Sequence, residues 1–131
     1  MSSKQQFTVK SKIWIELNDE VIFGLGRIRL FEEIERTGSM NQAAAALGMS
    51  YRAAWGKVTA TEERLNMQLV ERQQGNRQKG TILSPAGKEL LHRYRLFQKE
   101  AQAEVDTLFE KHLLSHLNQQ SDTKSQGKEL E

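Results

Sequence analysis

Residues 38–58, GSMNQAAAALGMSYRAAWGKV, decide the fold. Ser39 stands where an N-cap is needed, its side-chain oxygen free to accept an early helix N–H. Met40, Ala43, Ala44 and Leu47 then recur at i, i+3, i+4 and i+7, the spacing of one buried helical stripe. Gly48 follows where that helix must end, and glycine takes the left-handed conformation of such ends at little steric cost. Ser50 caps a second helix at once, with Ala54, Val58 and Leu65 on one face. Two short helices, a tight glycine turn and alanines where they cross make a helix-turn-helix, the unit that sets its second helix into the DNA major groove. An ordinary helical hairpin shares the spacing. The coincidence of both caps, the turn and the alanine pair favours the DNA-binding reading.

Upstream, residues 7–17 (FTVKSKIWIEL) alternate strictly. Phe7, Val9, Ile13, Ile15 and Leu17 fall on one side, and Thr8, Lys10, Lys12, Trp14 and Glu16 on the other, which predicts a half-buried strand. Asn18-Asp19 is a turn signal, and Val21-Ile22-Phe23 returns as a short second strand. A helix is expected over about 26–37, with Ile28, Phe31 and Ile34 inward and Thr37-Gly38 at its end.

Downstream, the second motif helix is expected to reach about Asn66. Leu69–Arg72, the polar loop Gln73–Gly80 and Thr81-Ile82-Leu83 read as a β-hairpin, the wing of a winged helix. Such wings lie along the phosphate backbone or enter the minor groove. Its tip carries Arg77 and Lys79 near two glycines, and a plain hairpin turn would need neither cation. Ser84-Pro85 starts a further helix, since proline at the first position lacks only an N–H that would go unused. This helix is expected over 85–114. Leu90, Tyr94, Phe97, Ala101, Val105 and Leu108 step by 4, 3, 4, 4 and 3 along it, close to a heptad seam. A small domain cannot cover so long a seam, so a second copy is expected on it, although the first turns can fold back onto the domain. Residues 115–131 are polar, lack a stripe and read as disordered.

The fold class is therefore mainly α with small β elements: a winged helix-turn-helix with an N-terminal β-hairpin and a long C-terminal dimerisation helix. The division expected is a DNA-binding domain over 1–84, the dimerisation helix over 85–114 and a tail over 115–131. A chain of 131 residues supports one such domain with a modest core. No run of 18 apolar residues is present, so no membrane partner is expected, and the N-terminus lacks the apolar core of a secretory signal, which points to the cytoplasm. The absence of cysteine excludes disulfides, thiolate nucleophiles and Cys-based zinc sites.

Charge is distributed unevenly. Residues 1–49 hold six basic and six acidic side chains, whereas residues 50–99 hold ten Lys and Arg against four Glu. The excess begins in the second motif helix, where a phosphate-contacting surface belongs. A solvated basic face would look the same by charge alone. On that helix Ala54 and Val58 point inward, leaving Tyr51, Arg52, Trp55 and Thr59 outward with Lys57 at the flank. Ser50 and the first N–H groups can hold a phosphate. The Arg52 guanidinium suits guanine O6 and N7, and Tyr51 suits a thymine methyl or a phosphate. Trp55 reads equally as a contact or as packing. Gly56, mid-helix, has no packing reason visible in the sequence and costs about 1 kcal/mol against Ala. Ser39 and Gln42 can reach phosphate from the first motif helix. Arg72, Arg77 and Lys79 complete the candidate set from the wing.

No enzyme is expected. His112 and His116 are at i, i+4 but lack a third ligand, Glu62 and Glu63 point about 100° apart, and no serine has a His/Asp partner pattern. No metal or cofactor is therefore assigned. The competing classes are a winged-helix protein-docking module, which would expose apolar residues on the second motif helix, and a non-specific DNA-binding accessory protein.

GSMNQAAAALGMSYRAAW, LVERQQGNRQKG and TILSPAGKELL resemble the N-terminal DNA-binding domain of ModE-type molybdate-responsive regulators. Ser50, Tyr51, Arg52, Ala54 and Trp55 carry the more particular likeness. The paired alanines, the Leu-Val-Glu-Arg strand and the Ser-Pro-Ala-Gly helix start are shared more loosely with LysR-type regulators. The resemblance covers about residues 7–113 and implies a sequence-specific regulator binding double-stranded DNA, a palindromic operator read by a homodimer, and a place in molybdate metabolism. Full-length ModE-type members bind molybdate between C-terminal β-domains. No strand-rich segment follows the long helix here, so this chain reads as the free-standing DNA-binding form, and molybdate is not expected to bind it.

Overall fold

The computed structural model describes residues 5–73 and 80–120. Strand β1 (Ile15–Leu17) pairs antiparallel with β2 (Glu20–Phe23) across Asn18 and Asp19, both at positive φ (52° and 67°). Two left-handed residues in a row suit the tight hairpin turn, and Asn and Asp tolerate that conformation best among residues with a Cβ. The strand is shorter than the alternation over 7–17 predicts. Ile15 and Leu17, expected inward, are 38% and 41% exposed. The four residues of β2 offer pairing only along their own length, and further upstream the Val9 carbonyl and the Ser11 N–H are satisfied by the Gln102 side chain instead.

Helix α1 (Leu25–Thr37) buries Ile28, Phe31 and Ile34 as expected, and Leu30 besides. Gly38, at φ 67°, ends it with its N–H on the Ile34 carbonyl. Helix α2 (Met40–Ala46) buries Met40, Ala43 and Ala44, and the Ser39 hydroxyl oxygen accepts the Gln42 N–H at 3.1 Å. Gly48, at φ 68°, makes the turn. Helix α3 (Tyr51–Leu65) begins with the Ser50 oxygen accepting the Ala53 N–H at 3.0 Å, and ends at Asn66 in the left-handed conformation. Its inward face is Ala54, Val58 and Thr61. Thr61 carries no apolar signal, yet it is fully buried because its hydroxyl donates to the Ile22 carbonyl at 2.9 Å, joining α3 to β2.

The wing is β3 (Val70–Arg72) paired antiparallel with β4 (Thr81–Leu83), Val70 opposite Leu83 and Arg72 opposite Thr81. Two links fix it to the helices. The Glu62 carboxylate on α3 accepts the N–H groups of Leu69 and Val70 at 2.7 and 3.2 Å, and the Thr81 N–H donates to the Gly38 carbonyl at 2.9 Å. The wing-tip residues Arg77 and Lys79 lie outside the described residues.

Helix α4 (Pro85–Phe109) starts where the Ser-Pro signal places it. The Ser84 oxygen accepts the Gly87 N–H at 2.9 Å and donates its own hydrogen to the Gln68 carbonyl at 2.6 Å. Gly87 lies against the Leu69 carbonyl so closely that a Cβ would collide with it.

Contacts divide the chain into two units. The first, Lys12–Leu96, holds a single core drawn from β2, α1, α2, α3, the wing strands and the opening turns of α4. Leu91 and Tyr94 are buried in it, and Leu90 packs partly against it. Tyr94 therefore does not belong to a dimer seam: its ring meets Phe23 edge-on at 5.0 Å and its hydroxyl donates to the Ile13 carbonyl at 2.7 Å. Burial holds that hydroxyl protonated beyond its ordinary range. Arg95 on α4 pairs with Glu32 on α1 at 2.8 Å. The second unit comprises Met1–Ser11 and Phe97–Glu131. In it Phe97 and Leu108 are 49% and 50% exposed, whereas Ala101 and Val105 are half-buried. A π-helical turn, Glu110–Leu114, follows α4, and residues 115–120, expected as unstructured tail, are helical.

Gly87→Ala should destabilise the fold by about 1–3 kcal/mol, the usual cost of forcing atoms into a packed contact. Gly26→Ala, where a Cβ meets open space within a helix, should be neutral or stabilising. Thermal unfolding followed by circular dichroism distinguishes the two, and equal effects would refute the close approach at Gly87.

Candidate nucleic-acid interface

The face of α3 opposite Ala54, Val58 and Thr61 is open. Arg52, Gly56 and Thr59 recur on it at four and three residues, so they form one row, and all three are exposed. A Cβ on Gly56 would meet nothing within 4 Å. The glycine is therefore not required by packing inside the fold. Glu63 continues the same row and is exposed, which confines the neutral and cationic part to the first three turns.

The wing flanks this row on one side. Trp55 is half-buried, packs partly against the core, and carries the Arg72 guanidinium over its ring at 4.3 Å from the centroid. Cation–π stacking of this kind holds an arginine by its flat face and leaves the edge of the guanidinium available. Tyr51 meets the same ring edge-on at 6.3 Å, so Tyr51, Trp55 and Arg72 form one continuous stack from the start of α3 to the wing. Trp55 thus has a packing role between helix and wing. Its Nε1 is buried and finds no acceptor among the described residues. Glu62 also has a structural role in its two hydrogen bonds to β3, a function that its sequence neighbourhood does not announce.

The remaining candidates distribute as follows. Ser39 and Gln42 are brought together at the start of α2 by the cap hydrogen bond, with Gln42 exposed. Ser50 is exposed at the start of α3, and Arg52 makes no ion pair among the described residues. Lys57 is not part of the stack. Two residues along a helix is about 200° of rotation, so Lys57 lies on the flank away from Trp55. There it lines a cleft with Lys12 and Arg27. Those two were absent from the sequence-based set because residues 1–49 are electrically balanced as a stretch and only folding separates their cations from their acids.

Among the described residues no group of His, Cys, Asp and Glu could hold a metal ion, and no helix is long and apolar enough to cross a membrane.

Comparison with known proteins agrees with this geometry. The family model of bacterial regulatory helix-turn-helix proteins of the lysR family matches residues 25–88. The chain is 41% identical over 86 residues to the molybdenum transport protein ModE of Azotobacter vinelandii, covering 65% of this chain and 32% of that protein. It is 34% identical over 86 residues to the transcriptional regulator ModE of Haemophilus influenzae, covering 65% of this chain and 34% of that one. The chain thus spans about a third of the length of the curated relatives it matches. Among solved structures, the DNA-binding domain in the crystal structure of the CbnR_DBD–DNA complex superposes with a TM-score of 0.51 at 26% identity, covering 63% of this chain and 90% of that one. A helix-turn-helix, a wing and a long following helix thus stand, in this order, where residues 25–88 match the model of the lysR family of bacterial regulatory helix-turn-helix proteins, and the ModE proteins are similar to about two thirds of the chain.

Proposed function

We propose that this protein is a transcriptional regulator that binds double-stranded DNA sequence-specifically, with α3 in the major groove. The observation that carries the reading is the open row Arg52, Gly56 and Thr59, flanked by an arginine that stacks on Trp55. A docking surface for protein would present apolar side chains on that row. Here the row is cationic and polar, with a gap where backbone can approach backbone.

Arg52, the second residue of α3, reads base edges, guanine most naturally. Tyr51 and Thr59 make supporting contacts, and Trp55 positions Tyr51 and Arg72 rather than reading bases itself. Arg72 and the wing-tip cations Arg77 and Lys79 contact phosphate. Ser39, Gln42 and Ser50 meet phosphate through the starts of α2 and α3. Residues 1–84 form the DNA-binding part. The α4 helix joins two copies through Phe97 and Leu108, which lie eleven residues apart, on the same face, each about half exposed. Two-fold symmetry then presents two α3 helices to the half-sites of a palindrome. The names of the ModE relatives point to genes of molybdenum handling as the regulated set.

Binding to bulk duplex should weaken steeply between low and moderate salt, which a protein-docking module would not show. Arg52→Ala should lose about 1–3 kcal/mol on a duplex selected from a random pool and little on random duplex. Equal losses on both would assign Arg52 to phosphate. Gly56→Ala should raise thermal stability by about 0.5–1 kcal/mol, since the position is helical and open, yet weaken binding. Unchanged affinity would show that no close approach occurs there. For the dimer, light scattering of the unmodified chain should give twice the chain mass, and Phe97→Asp with Leu108→Asp should give a folded monomer that keeps half-site binding and loses tight palindrome binding. A monomeric mass for the unmodified chain at high concentration would overturn both dimer and palindrome.

A further inference from the structure

A cleft of about 370 Å³ opens at the start of α1, and its lining includes Lys12, Trp14, Gly24, Gly26, Arg27 and Lys57. Helices α1 and α3 and the segment ahead of β1 thus contribute one cation each to one concavity, and no acidic side chain lines it. None of the three cations makes an ion pair among the described residues. The Nε of Arg27 is buried with no hydrogen-bond acceptor. Arg64, the cation beside Arg27, is paired with Glu20 at 2.7 Å, and Trp14, which lines the cleft, donates its indole N–H to Glu16 at 2.6 Å. Burial, and after it the neighbouring Arg64, hold the Arg27 guanidinium below its ordinary pKa. A half-buried cation left without a counter-charge is costly, and an anion in the cleft would remove that cost.

The backbone adds to the field. Helix α1 has thirteen residues, no capping side chain and no acidic residue in its first turn, so its first N–H groups lack both intrahelical acceptors and a local anion. At Gly26 a Cβ would meet open space, so that side of the helix end is open, whereas at Gly24 the Trp14 side chain lies so close that a Cβ would press on it. Lys57 belongs to α3 itself, on the flank away from the wing.

We propose that this cleft seats one backbone phosphate of the duplex, giving α3 a second phosphate anchor opposite the wing. The assignment rests on the DNA-binding reading above. With Arg72 on one flank and the Lys12–Arg27–Lys57 cleft on the other, α3 is held from both sides, and its register along the groove is set twice.

Phosphate-ethylation interference on a duplex selected from a random pool tests this with the full chain. Wild type should show one phosphate whose ethylation weakens binding but leaves Arg27→Gln indifferent, while the other sensitive phosphates stay the same. Arg27→Gln and Lys12→Gln should each lower the salt slope of log K by about one unit, on selected and random duplex alike. Lys12 is exposed, so its replacement reports even if Arg27→Gln fails to fold. Identical interference patterns and slopes for wild type and Lys12→Gln would overturn the site while leaving DNA binding intact. A wild-type chain that binds no duplex would remove the DNA-binding reading and the site with it. Saturable binding of inorganic phosphate that depends on Arg27 and that duplex does not displace would also overturn it, in favour of a free oxyanion.

Discussion

The Glu62 carboxylate, accepting the N–H groups of Leu69 and Val70, is the constraint through which the direction of α3 reaches the wing. A charged acceptor shared by two backbone donors makes stronger hydrogen bonds than a neutral one, and it leaves neither N–H of the strand entry unsatisfied. Because Val70 begins β3, that anchor also sets where Arg72 falls, and hence whether its guanidinium lands on Trp55. The Thr81 N–H on the Gly38 carbonyl fixes the other strand to the α1–α2 turn. Helix, wing and turn therefore act as one body within the Lys12–Leu96 unit, and an element moved alone would break a hydrogen bond with no water-free substitute.

The helices were legible in the sequence because their ends carry strong local chemistry. Ser39, Ser50 and Ser84 each cap through their own hydroxyl, and Gly38 and Gly48 each take the positive φ that their positions demand. Periodicity placed Ile28, Phe31 and Ile34, Met40, Ala43 and Ala44, and Ala54 and Val58 inward, but it missed Leu30 and Thr61, and Leu47 and Leu65 are only partly buried. It failed where tertiary partners decide. Strict alternation over residues 7–17 predicts a strand, yet alternation shows only that a segment is two-sided; Gln102, ninety-one positions from Ser11, determines what residues 9–11 bond to. Tyr94 fits a heptad seam and a core equally by spacing, and a ring of Phe23 beside it makes it core.

The candidate interface divides along the same line. Tyr51, Arg52, Trp55 and Thr59 follow from knowing which face of α3 is buried. The stacking of Arg72 on Trp55 depends on the angle between helix and wing, which no local pattern encodes. Lys12 and Arg27 were hidden by arithmetic: a stretch with equal numbers of acids and bases looks neutral, although Arg64 draws Glu20 aside and Arg95 draws Glu32, leaving uncompensated cations behind. Net charge of a segment is thus a poor guide to surface potential once ion pairs between segments form.

The two tryptophans, Trp14 and Trp55, flank α3 on its two sides and are the only tryptophans in the chain. Trp14 is about half exposed and lines the cleft with Lys12, Arg27 and Lys57, whereas Trp55 is partly buried under Arg72 with its indole N–H shielded. Their emission should differ in colour, the first redder and the second bluer, and each should respond to charge arriving on its own flank. The chain carries a pair of native optical reporters, so single-tryptophan forms could time the arrival of a ligand at the wing and at the α1 cleft independently, without any attached dye.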